Sequence, residues 1–163
     1  MTEGGSSIPE VQALLSVLAA SKPAGRIAEI GTAFGEGAQA IARYMGPEAT
    51  LITVEPDPER FAIACDVLSA TPAEVLNARW EDVLPSRGPF DLIFFDGGTR
   101  AETLSLVIEM LAPGGVLIKD DLTPGVAIEG DPVREAFLKD PRLVGVELVA
   151  RPDMAIIIAT RRQ

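Results

Sequence analysis

The chain has 163 residues, 47% of them apolar and 23% charged, a balance that suits one globular domain with a full core. Its net charge of −10 offers no basic stripe to a phosphate backbone and no attraction to an anionic membrane surface, so neither nucleic acid nor a membrane is an expected partner. The absence of histidine excludes Ser-His-Asp triads, Cys-His pairs and zinc–histidine sites together, leaving carboxylates, hydroxyls, lysines, backbone dipoles or a cofactor to carry any chemistry.

Residues 1–7 are small and polar and are expected to be loose. Ser7-Ile8-Pro9-Glu10 has the pattern of a capping box with proline at the first helical position. Ile8, Val11, Leu14, Leu15 and Leu18 then recur at helical spacing, which predicts a helix over 8–20. The apolar run within it has no basic segment before it and is not read as a signal peptide. From residue 25 onward, apolar runs of strand length alternate with helical segments. Strands are expected at 26–31, 50–55, 73–79, 90–97 and 115–122, and helices at 36–45, 58–70, 101–113 and 131–140, the third stopped by Pro113. Near-continuous apolar strands alternating with helices mean a parallel sheet covered on both faces. Two final strands, 143–150 and 154–161, are joined only by "RPD". Three residues cannot form a parallel crossover, so this pair is expected to be antiparallel. The lone cysteine, Cys65, lies in a helical pattern, cannot form an internal disulfide and fits a cytoplasmic location.

Ligands of open parallel sheets sit outside the carboxyl ends of the strands. Those ends carry Glu29 and Gly31, Glu55, residues 79–82, Asp96, and Asp120 with Asp121, an acidic rim that folding alone does not require. Gly31 ends the first strand, and Gly35 and Gly37 open the next helix. This loop lacks the dinucleotide spacing G-x-G-x-x-G when counted from Gly31, and it lacks the G-K-[S/T] of a P-loop. It suits a nucleoside-like ligand with a small anion, and Glu55 at the end of the second strand is placed to accept two ribose hydroxyls.

"AEIGTAFGEGAQAIA", "LITVEPD", "FDLIFFDG" and "LAPGGVLIKDDL" together resemble the consecutive motifs of class I S-adenosylmethionine-dependent methyltransferases, most closely the small-molecule O-methyltransferases of the catechol and caffeoyl-CoA type. The resemblance covers residues 25–161 and implies a single domain over 1–163: a Rossmann-like α/β fold with a seven-stranded, mostly parallel sheet, one antiparallel strand and helices on both faces. It implies S-adenosyl-L-methionine as cofactor, with Glu29, Gly31 and Thr32 at its methionine end and the backbone around Gly35, Glu36 and Gly37 at its carboxylate. Glu55 would take the ribose, Pro56, Trp80 and Glu81 the adenine, and Asp96 would lie near the reacting methyl. It also implies a divalent cation (Mg, Ca or Mn) at Asp96, Asp120 and Asp121, and a small-molecule methyl acceptor. The family's usual lysine base would fall at Thr99, with Arg100 next, so Asp96 and Arg100 are the expected catalytic residues. Lys119 is expected to point away from Asp120's face.

A homodimer is expected, because the stretch before the first strand is short and the closing strands are apolar. The residues of 123–131 form a candidate lid. Two other readings remain open: a NAD-dependent oxidoreductase, disfavoured by the glycine spacing, and a non-catalytic S-adenosylmethionine-binding protein.

Overall fold

The computed structural model describes residues 7–98 and 100–163. Residues 1–6, most of the segment expected to be loose, and Thr99, the expected base position, lie outside the described residues. Ser7 itself is buried.

Helix α1, Pro9–Ala20, starts without the expected capping box. Ile8 is the N-cap, the Ser7 carbonyl accepts from Gln12 Nε2 at 2.6 Å, and Glu10 turns outward to pair with Arg151 at 2.7 Å. The elements that follow are β1 Arg26–Ile30, α2 Glu36–Tyr44, β2 Thr50–Val54, α3 Pro58–Leu68, β3 Glu74–Leu76, α4 Trp80–Val83, β4 Phe90–Phe95 and α5 Leu104–Met110. Then come β5 Leu111–Leu122, α6 Pro132–Leu138, β6 Leu143–Arg151 and β7 Met154–Arg161.

Two stretches depart most from the sequence reading. β3 is only three residues long, and the one-turn helix α4 takes up the residues after it. The helix expected over 101–113 is a short 3₁₀ turn, Ala101–Thr103, followed by α5, which ends at Met110. Proline at 113 disfavours helix for the residue before it, and Leu111 already pairs with Phe90 of β4.

The seven strands lie in the order β3-β2-β1-β4-β5-β7-β6, all parallel except β7, which is antiparallel to both β5 and β6. The single antiparallel strand is thus second from one edge, and β6 and β7 are antiparallel to each other, as the short "RPD" link requires. One face of the sheet is covered by α1 and α2, with Val11, Leu15, Ala19, Ala38 and Ile41 packed on Ile27, Leu92, Phe94 and Ile118. The other carries Leu104, Val107, Ile108 and Phe137 of α5 and α6 against Ile30, Ile93, Phe95 and Ile157. β6 is an edge strand, and Val144, Val146, Leu148 and Val149 on it are exposed.

Candidate functional site

The carboxyl ends of β1, β2 and β4 meet around a cavity of about 350 Å³. Ile30 and Gly31, Val54 and Pro56, Arg79 to Glu81, and Gly97, Gly98 and Arg100 line it. Of the expected site residues it therefore gathers Gly31, Pro56, Trp80, Glu81 and Arg100. Gly31 has φ +92°, and a Cβ there would lie 2.9 Å from Gly97 Cα, so two strand ends approach where only glycine fits. Trp80 is buried edge-on against Phe95, with ring centroids 6.0 Å apart, and forms one wall. Glu81 is held by Arg79 at 3.1 Å, whereas Arg100 makes no ion pair among the described residues.

The glycine loop uses its first amides internally. Gly31 and Thr32 N–H donate to Val54 O, and Gly35 N–H donates to Thr32 O. Ala33, itself at φ +47°, donates to Glu55 Oε2 at 2.8 Å, and Asp57 N–H donates to Glu55 Oε1 at 3.0 Å. Glu55, 4% exposed, thus ties the glycine loop through one carboxylate oxygen to the turn before α3 through the other. Glu29 is buried under α2, where Thr53 Oγ1 donates to it and Ala38 N–H approaches it. Thr32 Oγ1 and Thr53 Oγ1 are 2.5 Å apart, which closes a buried chain of three side chains. Burial pushes Glu29 up to about 8 despite these hydrogen bonds. Gly37 passes directly over Glu29, where a side chain would collide with its carboxyl. Gly35, at φ +94°, is the N-cap of α2. Glu36 faces the other way, into a groove between α1 and α2.

Beside the cavity, Asp96, Asp120 and Asp121 each place a carboxylate oxygen within 4.8 Å of the others. Adjacent residues of a regular strand point to opposite faces, so Asp120 and Asp121 should diverge. They converge because β5 carries an extra residue against β7: Lys119 pairs with Ile157, but Leu122 pairs with Ala155. Asp121 absorbs the irregularity at φ +61°, a left-handed conformation that aspartate tolerates, and its N–H donates to Asp120 Oδ1 at 2.8 Å.

Lys119 lies ahead of the bulge, in regular register with Phe95 and Ile157. Its side chain is buried with the cluster, donating to Phe95 O at 3.2 Å and to Asp120 O at 2.6 Å, with its ammonium 5.0 Å from the centre of the Phe95 ring. Burial, reinforced by Asp121 and Asp120, pushes Asp96 up to about 8. Burial also raises Asp120, and it lowers Lys119 against the pull of the three carboxylates. Three acids facing one desolvated ammonium are short of positive charge. An all-oxygen set of this kind fits a hard divalent cation.

A 3-2-1-4-5-7-6 sheet with a glycine loop after β1 and acidic strand ends defines a Rossmann-like methyltransferase fold. The chain belongs to the methyltransferase domain family, which matches residues 28–122. It is 31% identical over 122 residues to a catechol O-methyltransferase of Mycobacterium tuberculosis, covering 70% of this chain and 56% of that protein's length. Its fold is similar to that of the O-methyltransferase TomG from Streptomyces achromogenes, solved in complex with SAM (TM-score 0.80, 23% identity, 100% of this chain and 84% of that one). It is also similar to the cofactor-bound Rv0187 from MTB (TM-score 0.78, 25% identity, 100% and 84%). No helix among the described residues is long and apolar enough to cross a membrane.

Proposed function

We propose that this chain transfers a methyl group from S-adenosylmethionine to an oxygen of a small acceptor, with a divalent cation held by Asp96, Asp120 and Asp121. The observation that carries the proposal is the convergence of those three carboxylates beside a cavity at the strand ends of a methyltransferase-family domain. The likeness to a catechol O-methyltransferase supports the reaction class. When bound, S-adenosylmethionine supplies an electrophilic methyl group on a sulfonium. A divalent cation, when bound, holds acceptor oxygens and lowers the pKa of the hydroxyl to be methylated.

The chain's own residues then bind and orient. Each Glu55 oxygen accepts one backbone N–H and retains a lone pair for a ribose hydroxyl. Pro56 and Trp80 supply apolar walls on which a purine can lie. Gly31 and Gly97 leave the space next to Asp96 free of side chains. The buried Lys119 ammonium keeps part of the carboxylate charge balanced before any ligand arrives.

Calorimetry tests the cofactor assignment. S-adenosylhomocysteine is expected to bind and NAD is not; the reverse result refutes the reading and favours an oxidoreductase. Glu55→Ala is expected to weaken S-adenosylhomocysteine binding about tenfold or more, the loss of a charged hydrogen-bond acceptor. Equal affinity in wild type and variant would remove Glu55 from the ribose site.

Arg100 lies at the cavity without a carboxylate partner among the described residues, in a chain with 24 acidic and 14 basic side chains. An acceptor carrying an anionic group suits it better than a neutral one. Arg100→Met is expected to raise KM for a carboxylate-bearing acceptor about tenfold and to leave KM for its neutral analogue unchanged. An equal effect on both acceptors would argue against charge recognition.

The assembly is proposed to be a homodimer in the cytoplasm, formed along the edge strand β6, whose exposed Val144, Val146 and Val149 otherwise face water. Light scattering at micromolar concentration should give twice the chain mass, and a monomer mass counts against this.

A further inference from the structure

We propose that Arg134 is a positioning residue for the carboxylate corner, acting through the Thr123 carbonyl to hold Asp121 in its left-handed conformation; this rests on the cation site proposed above. Arg134 lies on α6 and is 2% exposed, the most deeply buried charge outside the site. Its guanidinium grips three separate pieces of chain. Nε and Nη2 donate to the two carboxylate oxygens of Glu147 on β6, at 2.7 and 2.9 Å. Nη1 donates to Asp131 Oδ2 at 2.6 Å, while Asp131 Oδ1 caps α6 by accepting from Val133 and Arg134 N–H. Nη2 also donates to Thr123 O at 2.7 Å.

These partners bracket the segment that leaves the site. Thr123 is two residues beyond Asp121, and Asp131 closes the loop that Thr123 opens, so both ends of 123–131 converge on one side chain. Glu147 lies in the same row of the sheet as the bulge, since Glu147 pairs with Ile157 and Ile157 pairs with Lys119. An ion pair that only fastened α6 to β6 would need Glu147 alone. The fork also takes the carbonyl just past the corner, and the planar guanidinium fixes that carbonyl relative to the edge strand. Freed from it, the unpaired bulge residue Asp121 leaves its left-handed conformation, which takes its carboxylate away from Asp96 and Asp120.

The test compares wild type with Glu147→Gln and Arg134→Lys, each confirmed to melt cooperatively. Mn²⁺ alone is the metal probe, read by the electron paramagnetic resonance signal of the free ion. Mn²⁺ affinity is expected to fall about tenfold or more in both variants, the range typical of partners that orient a ligand. Amide hydrogen exchange in the peptide spanning 120–130 is expected to quicken, while peptides from β1 and β2 and the affinity for S-adenosylhomocysteine stay at wild-type values. Unchanged Mn²⁺ affinity, or unchanged exchange over 120–130, overturns the positioning role. If Arg134→Lys does not fold, Glu147→Gln carries the comparison, because that side chain is partly exposed. A wild-type chain that binds no Mn²⁺ refutes the cation site, and exchange over 120–130 in the metal-free proteins then decides the clamp.

Discussion

Asp120→Ala is expected to reduce methyl transfer more than about 100-fold while leaving S-adenosylhomocysteine affinity within about threefold, a loss larger than that from residues that only orient metal ligands. Asp120 is 1% exposed and is not among the residues lining the cavity, so its removal spares the cofactor walls. Asp96 and Asp121 alone make a poor cage for a hard cation, which takes six or more oxygens. The variant also removes the acceptor of the Asp121 N–H, which loosens the corner. Asp120→Asn separates these effects, since it keeps an acceptor for that N–H but not the charge. It should fold as well as wild type, bind Mn²⁺ poorly and turn over slowly. Metal-free Asp120→Asn should even melt slightly higher than metal-free wild type, because burial and Asp121 both oppose a charge at 120. Chelator should abolish wild-type turnover, and Mg²⁺ or Mn²⁺ should restore it. Full activity in excess chelator would refute the cation's role, and the three aspartates would then be structural.

The second large effect is on stability and comes from Glu29. Its folded value of about 8 lies far above the usual glutamate range, with burial as the main cause. An unfolded glutamate releases its proton near pH ~4.3. Between those values the folded chain holds a proton that the unfolded chain has lost, so rising pH favours unfolding. The stabilising contribution is complete below about pH 4.3 and is lost as pH rises through about 8, on the order of 5 kcal/mol across the window. Asp96 shifts in the same direction and adds to the slope in the absence of a cation. Lys119, lowered by burial, acts with the opposite sign in a higher window that ends near its ordinary value of about 10.4. The metal-free protein should therefore melt at a distinctly lower temperature at pH 8.5 than at pH 5.5. Glu29→Gln keeps a neutral acceptor for the Thr53 hydroxyl and cannot titrate, so the slope should flatten, with the Asp96 part remaining. Saturating Mn²⁺ should suppress that remainder and leave the Glu29 part of the wild-type slope. Parallel melting curves for wild type and Glu29→Gln across this range would show that Glu29 is charged throughout.

The fold class was legible because its signals are local. Apolar runs such as "LITV" and "DLIFF" specify strands buried on both faces, whatever packs on them. The link "RPD" made the last pair antiparallel by length alone. The strand ends that build the site follow from the alternation of strands and helices, which is why Gly31, Pro56, Trp80 and Arg100 fell on one cavity. Capping and boundary signals proved weaker, since the helix starts one residue later with Ile8 as its N-cap and Glu10 pairs with Arg151.

The amino-acid sequence by itself determined the class of fold, the acidic rim and the residue types available for chemistry, since each follows from composition, period and turn length. The tertiary structure alone decided how that rim is used. Strict strand alternation would send Asp120 and Asp121 to opposite faces, against the common site that the resemblance implied for them. One extra residue opposite β7 accompanies their convergence, and bulges are set by pairing with a partner strand some 35 residues away in the chain. Arg134 gave no signal within its own helix, because its partners Thr123 and Glu147 come from segments that only folding brings together. Glu55 looked like a free ribose acceptor in the sequence, yet in the fold it also ties down the glycine loop, because burial leaves no carboxylate oxygen without a donor.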